Sequence, residues 1–139
     1  QNGRRSIMVT LSFLKLLSES GFGTIDTDLF YQKLTLDKKG VYIADVGDVM
    51  GRHSRDSQGY ELLSRGTDDV DGLKKLQDIR KFLVAEYQNI CELPAVPPIT
   101  TSEYKGVHLT KPSTITNVGL DAQNRVIYSI TGSILFKEN

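Results

Sequence analysis

Residues 59–83, GYELLSRGTDDVDGLKKLQDIRKFL, contain a strand, a glycine break and a charged amphipathic helix in direct succession. Residues 60–65 predict the strand, and Gly66 frees the backbone to turn. The acidic residues that follow favour the positive end of a helix dipole, so a helix is predicted from about Asp68 to Tyr87. Because such a helix must bury its apolar stripe on another layer, this unit favours a fold of mixed α and β elements.

The other elements follow from periodicity and turn residues. A first helix is expected from Thr10 to about Ser20, and the strands are expected at 28–36, 41–46, 60–65, within 107–120 and at 125–137. We therefore predict an α+β fold, a mostly antiparallel sheet of five to six strands with two helices packed on one face. Residues 8–139 form one domain, and residues 1–7 are expected to be a disordered leader or a remnant of expression.

Composition narrows the classes of function. Lys plus Arg and Asp plus Glu both number 17 in the 139 residues, so the formal net charge is zero. A balanced chain lacks the basic surface that non-specific nucleic-acid binding requires. No apolar run approaches the roughly 20 residues that a membrane span needs. The single cysteine, Cys91, cannot form an internal disulfide and is expected to be a buried small hydrophobe.

The most polar segment, residues 47–58, is predicted to be a long exposed loop. This segment and the residues beside it include side chains of the types that ligate metals, namely Asp45, Asp48, His53 and Asp56. Their spacing matches no established ligand pattern, so a polar loop without metal is the favoured interpretation. His108 is expected to be a half-exposed strand residue. Neither a Gly-x-Ser-x-Gly elbow nor a phosphate-binding glycine motif occurs, and we expect no enzyme activity and no cofactor.

Two residues of the second helix disagree with its apolar stripe, which we expect to comprise Leu73, Leu76, Leu83, Val84 and Tyr87. Phe82 falls on the polar side, which makes it a candidate anchor for a neighbouring subunit. Arg80 falls inside the apolar arc. Either its stem lies along the sheet with the guanidinium in solvent, or it forms a salt bridge to Glu61 or Asp69 of another copy.

In its order of elements, the chain resembles small tailed-phage proteins of the tail terminator, tail-to-head joining or minor capsid type. The residues that carry the resemblance are Arg65-Gly66, Asp68-Asp69, the segment 79–83, Gly119-Leu120-Asp121 and Asn124-Arg125. The resemblance covers most of residues 8–137 as a pattern of elements, without one diagnostic motif. Residues 95–108 match nothing in that group.

The resemblance implies a ring, usually of six copies, that stops tail-tube polymerisation and docks to the head. Its partners would be its own copies, the tail-tube protein and a head-completion or neck protein; DNA would only pass through the lumen. The protein would reside in the virion tail or neck after assembly in the host cytoplasm. Interface candidates are Phe82, Arg80, Glu61, Asp69, Arg52, His53 and Arg55. The alternatives are a head-completion protein of the neck or a generic protein-binding adaptor module.

Overall fold

The computed structural model describes residues 2–32, 39–46, 56–66, 69–94 and 104–138. Two helices and six strands follow in the order α1 (Asn2–Glu19), β1 (Leu29–Tyr31), β2 (Gly40–Val46), β3 (Asp56–Arg65), α2 (Asp69–Glu86), β4 (Tyr104–Leu109), β5 (Thr116–Leu120) and β6 (Val126–Glu138). The predicted α+β class is confirmed, as is the mostly antiparallel sheet of five to six strands.

The strands form one sheet in the order β1-β2-β3-β6-β4, with β5 also paired to β6. β1 runs parallel to β2, and every other pair is antiparallel. β6 is the long strand that the alternating C-terminal pattern predicts. β3 pairs along one of its edges, while β4 and β5 share the other edge, β4 near the C-terminal end and β5 near the N-terminal end. The edges β1 and β5 therefore lie on opposite sides of the sheet.

The hydrophobic core lies on the face of the sheet that carries Tyr60 and Leu62 of β3; we call it the core face. From α1, the ring of Phe13 approaches Tyr60 with 4.6 Å between centroids. From α2, the carbonyl oxygen of Gly72 accepts a hydrogen bond of 2.9 Å from the Ser64 hydroxyl. Tyr60, Leu62 and Ser64 alternate along one strand and so share a face. Both contacts support the packing of the two helices on one face, which stays a prediction.

Three predicted boundaries are wrong. The first strand is predicted at 28–36, but β1 ends at Tyr31 and Gln32 lies outside it; residues 33–36 lie outside the described residues. α1 begins at Asn2 and not at Thr10, so residues 2–7, expected to be a disordered leader, form its first turns. No proline or glycine interrupts the chain between residues 4 and 20, and Thr10 is buried inside the helix. β3 begins at Asp56, so residues 56–58 belong to a strand although they were expected in the loop. The rest of that loop, residues 47–55, lies outside the described residues.

The buried stripe of α2 also differs from the predicted one. The fully covered positions are Gly72, Leu76, Ile79 and Leu83, spaced four, three and four residues apart. Relative to the predicted stripe the core direction is rotated by about 60°, at 100° per residue. Because glycine has no side chain, the hydrophobic pattern of the sequence does not show that Gly72 is on the buried side of the helix. However, Gly72 lies so close to Gly66 that an added Cβ would stand 3.0 Å from the Gly66 nitrogen, and this approach sets the helix phase.

The contact between Gly132 and the buried Tyr60 ring yields the first testable prediction. A Cβ at position 132 would lie 2.5 Å from the Tyr60 Oη and 2.7 Å from its Cζ. Gly132→Ala should therefore destabilise the protein by about 1–3 kcal/mol through overpacking. Urea unfolding measures the change. Tyr60→Phe removes the Oη atom, which would lie nearest to the added Cβ, so Gly132→Ala should lower the free energy of unfolding less in that background. An equal loss of stability in both backgrounds would contradict this packing.

Candidate subunit interface

A buried ion cluster joins the end of β3 to the turn between β5 and β6. Nη1 of Arg65 lies 3.4 Å from Oδ2 of Asp121, and both side chains are only 6% exposed. Nε of Arg125 donates to the same carboxylate oxygen at 2.9 Å. The other oxygen, Oδ1, accepts hydrogen bonds from the backbone N–H groups of Gln123 at 2.8 Å and Arg125 at 2.9 Å. The cluster fixes the conformation of the β5–β6 turn.

The environment of Asp121 keeps its carboxyl group ionised. Burial alone would raise the pKa of this group. The hydrogen bonds from the backbone N–H groups of Arg125 and Gln123, together with the Arg125 guanidinium, outweigh that effect and hold the pKa below its usual range. The negative charge is therefore a permanent part of the folded structure at neutral pH.

The face of the sheet opposite the core face also carries apolar side chains. Phe30 of β1 pairs in register with Tyr42 of β2, and Tyr42 pairs with Leu63 of β3. These three residues, which we call the aromatic row, lie side by side across three strands. Phe30 and Tyr42 are half-buried and Leu63 is 9% exposed. None of them belongs to the hydrophobic core cluster.

Charged side chains of β3 flank the aromatic row. Glu61 and Arg65 stand two residues before and after Leu63, hence on the same face. Burial and the Glu61 carboxylate raise the pKa of the Tyr42 hydroxyl, while Arg65 opposes the rise. The Tyr42 hydroxyl therefore stays protonated and neutral at physiological pH. Of the predicted interface residues, Glu61 is the one that the structure places beside this row; its role there stays a prediction.

The opposite edge of the sheet carries exposed apolar side chains. All five residues of β5 are exposed. Val118 and Leu120, which we call the β5 pair, have 48% and 62% of their surface in solvent. The β5–β6 register shifts between Asn117 and Gly119, so Val118 stands at a bulge. Leu120 directly precedes Asp121, whose ion cluster fixes the turn that follows β5.

The structure describes the surroundings of the two anomalous helix residues. Phe82 is half-buried and its ring packs on Phe22 with 5.3 Å between centroids, because the rotated helix phase turns it towards the core. Its role as an anchor for a neighbouring subunit stays a prediction. Nε of Arg80 donates a 2.7 Å hydrogen bond to the Ser113 carbonyl oxygen. This bond does not decide between the two alternatives for Arg80, which stay predictions.

The remaining candidates lie partly outside the described residues. Arg52, His53 and Arg55 fall outside them, as does the side chain of Asp69, the first residue of α2. Cys91 is exposed, so its expected burial is wrong; it follows the end of α2 in a segment without regular structure. His108 is exposed on β4.

The described residues also bear on metal binding and membrane insertion. Oδ2 of Asp45 accepts a 2.8 Å hydrogen bond from Gln32, and Asp48 lies outside the described residues. Within the described ranges, no group of three His, Cys, Asp or Glu side chains could hold a metal ion. Nor does any helix in that part of the chain combine the length and apolar character of a membrane span.

Sequence reasoning did not identify the aromatic row as a site. A signal for it exists in the adjacent pair Leu62-Leu63, because neighbouring strand residues point to opposite faces and two apolar neighbours indicate a partner on each face. The pairing of Arg65 with Asp121 has no signal in residue spacing, since 55 residues separate the two in sequence.

Comparison with known proteins adds no relative. No protein-family model matches the chain, and no curated protein sequence matches it. What this surface can bind is therefore inferred from its own residues. An apolar row that includes two aromatic rings, and a second exposed apolar pair, suit contact with other proteins, where aromatic side chains are enriched.

The lowered pKa of Asp121 leads to a pH-dependent prediction. A carboxyl group whose pKa is depressed on folding stabilises the protein above its unfolded pKa, about 3.9, and loses that effect as the pH falls through the folded value. Asp121→Asn keeps an oxygen for the two backbone hydrogen bonds but removes the charge. The variant should melt at a lower temperature than the wild type at pH 7, and the gap should narrow below about pH 4. A gap that is constant from pH 7 to pH 2 would contradict the ion cluster.

The contact between Phe22 and Phe82 gives another prediction. Aromatic pairs contribute about 0.5–1.5 kcal/mol beyond the area they bury. We expect Phe22→Leu and Phe82→Leu each to lower the free energy of unfolding, with a coupling energy of that size in the double variant. Chemical denaturation of the four proteins measures it. Strictly additive effects would show that the two rings do not interact.

Proposed function

We propose that this protein is a structural component of a phage tail, a tail terminator that forms a ring of its own copies at the end of the tail tube. The ring stops tube polymerisation and offers a surface to the head-completion or neck protein. This proposal requires no catalytic residue. It requires a rigid sheet and surfaces that remain available for neighbouring copies.

The sequence resemblance and the fold support the proposal together. Two of the groups that carry the resemblance, Arg65-Gly66 and the segment from Gly119 to Arg125, are distant in the chain. In the folded chain they meet in the ion cluster around Asp121, through Arg65 and Arg125. A contact between these two groups is what a common fold would require of them.

The observation that carries the proposal is the aromatic row on the face opposite the core. Phe30 and Tyr42 remain partly in solvent, and Leu63, which is 9% exposed, lies beside them and is not a member of the core cluster. A sheet face with this composition gains free energy when another protein covers it, at about 25 cal/mol per Å² of apolar surface. Self-association is the simplest way for a structural protein to cover such a face.

Native mass and tube length test the proposal. In native mass spectrometry the purified protein, alone or with tail-tube protein from the same genome, should form a complex of six times its 15.5 kDa chain mass. Added to polymerising tail-tube protein, it should bind tube ends and shorten the tubes. Heat-denatured protein at the same concentration is the control.

Two other results would contradict the tail terminator. A ring that leaves tube length unchanged but binds a neck protein would identify a head-completion protein. A monomer that neither assembles nor alters the tubes in any mixture would exclude both and leave the adaptor module.

A further inference from the structure

We infer that in this ring the aromatic row of each copy is covered by the β5 pair of the next copy. The inference rests on the proposed ring and names the two surfaces that build it. The first surface is Phe30, Tyr42 and Leu63, on the strands β1, β2 and β3. The second is Val118 and Leu120, on the strand β5.

The position of the two surfaces in the sheet favours contact between copies. β1 and β5 are at opposite edges of the sheet, with β2, β3 and β6 between them. Within one chain, β3 and β6 separate the β5 pair from Phe30 and Tyr42, so it does not cover these two rings, whereas only β6 lies between β5 and Leu63. Two different surfaces that fit each other generate a head-to-tail contact, and a head-to-tail contact that closes generates a ring. A two-fold dimer would instead place one surface against itself.

Charge is compatible with this contact. The row has Glu61 beside it, so a partner surface with an uncompensated carboxylate would be repelled. The residues of β5, Thr116–Leu120, carry no charge. The nearest carboxylate in sequence, Asp121, is bound by Arg65 and Arg125 and is almost fully buried. The β5 pair can thus approach Glu61 without bringing an exposed negative charge with it.

The ion cluster gives the β5 surface the rigidity that a contact needs. β5 is an edge strand of five residues, and its exposed side chains find no support from the core. Asp121 fixes the turn that follows it through four bonds, to Arg65, to the Arg125 side chain and to two backbone N–H groups. Preorganising a surface lowers the entropy lost on binding.

Charged substitutions on each surface test the inference. Phe30→Asp should weaken assembly by about 30-fold or more, as expected for loss of an aromatic anchor, and so should Leu120→Asp. Ala85→Asp adds the same charge on an exposed position of α2 and should assemble like the wild type. Thermal melts under monomeric conditions check folding. If Phe30→Asp melts far below the control, Tyr42→Ala replaces it with the same expected loss.

A mixture of the two altered proteins gives the decisive result. Phe30→Asp retains an intact β5 pair, and Leu120→Asp retains an intact aromatic row. Mixed together, they should form a one-to-one dimer of twice the 15.5 kDa chain mass that grows no further, because each remaining surface is altered. Native mass spectrometry with one protein isotope-labelled detects it.

The outcomes separate this inference from the proposed function. If both variants still form the wild-type ring, the assignment of the two surfaces is wrong, whereas the proposed ring is not contradicted. Loss of assembly in each variant without dimers in the mixture would indicate a surface that meets itself and would also overturn the inference. A wild type that stays monomeric in every mixture would overturn the ring and the inference together.

Discussion

Asp121 binds the guanidinium groups of Arg65 and Arg125 and thereby joins the end of β3 to the β5–β6 turn. In the described sheet, β5 pairs only with β6, so without this ion cluster its position would depend on one short ladder with a bulge. Removing one partner of a buried pair leaves an uncompensated charge, which is destabilising. Asp121 therefore supports the β5–β6 turn in addition to the ladder between the two strands.

The same strand, β3, connects this cluster to both faces of the sheet. Its even-numbered residues Tyr60, Leu62 and Ser64 meet the helices, and its odd-numbered residues Glu61, Leu63 and Arg65 lie on the other face. A strand with apolar residues on one face only would contribute to a single hydrophobic core. Here Leu63 is an apolar residue on the second face, beside the half-buried rings of Phe30 and Tyr42, and the proposed ring would cover those rings.

Much of the fold could be predicted from the sequence, because strand alternation and helix breaks are local signals. The order of helices and strands and the long final strand β6 agree with the structure. The phase of α2 could not be predicted, since it depends on the close approach of Gly72 to Gly66, two residues without side chains. For the candidate site, the sequence suggests Glu61 only as a salt-bridge partner of Arg80, and the aromatic row needs the register of three strands, which only tertiary pairing sets.

Hydroxyl-radical footprinting of the assembled and the monomeric protein tests the central proposal, that copies join through the aromatic row of one and the β5 pair of the next. The account predicts that Phe30, Tyr42 and Leu120 all lose reactivity on assembly, whereas Val70, which is 73% exposed at the start of α2, serves as the reference that stays reactive. Assembly that leaves both the aromatic row and the β5 pair as reactive as in the monomer would contradict it.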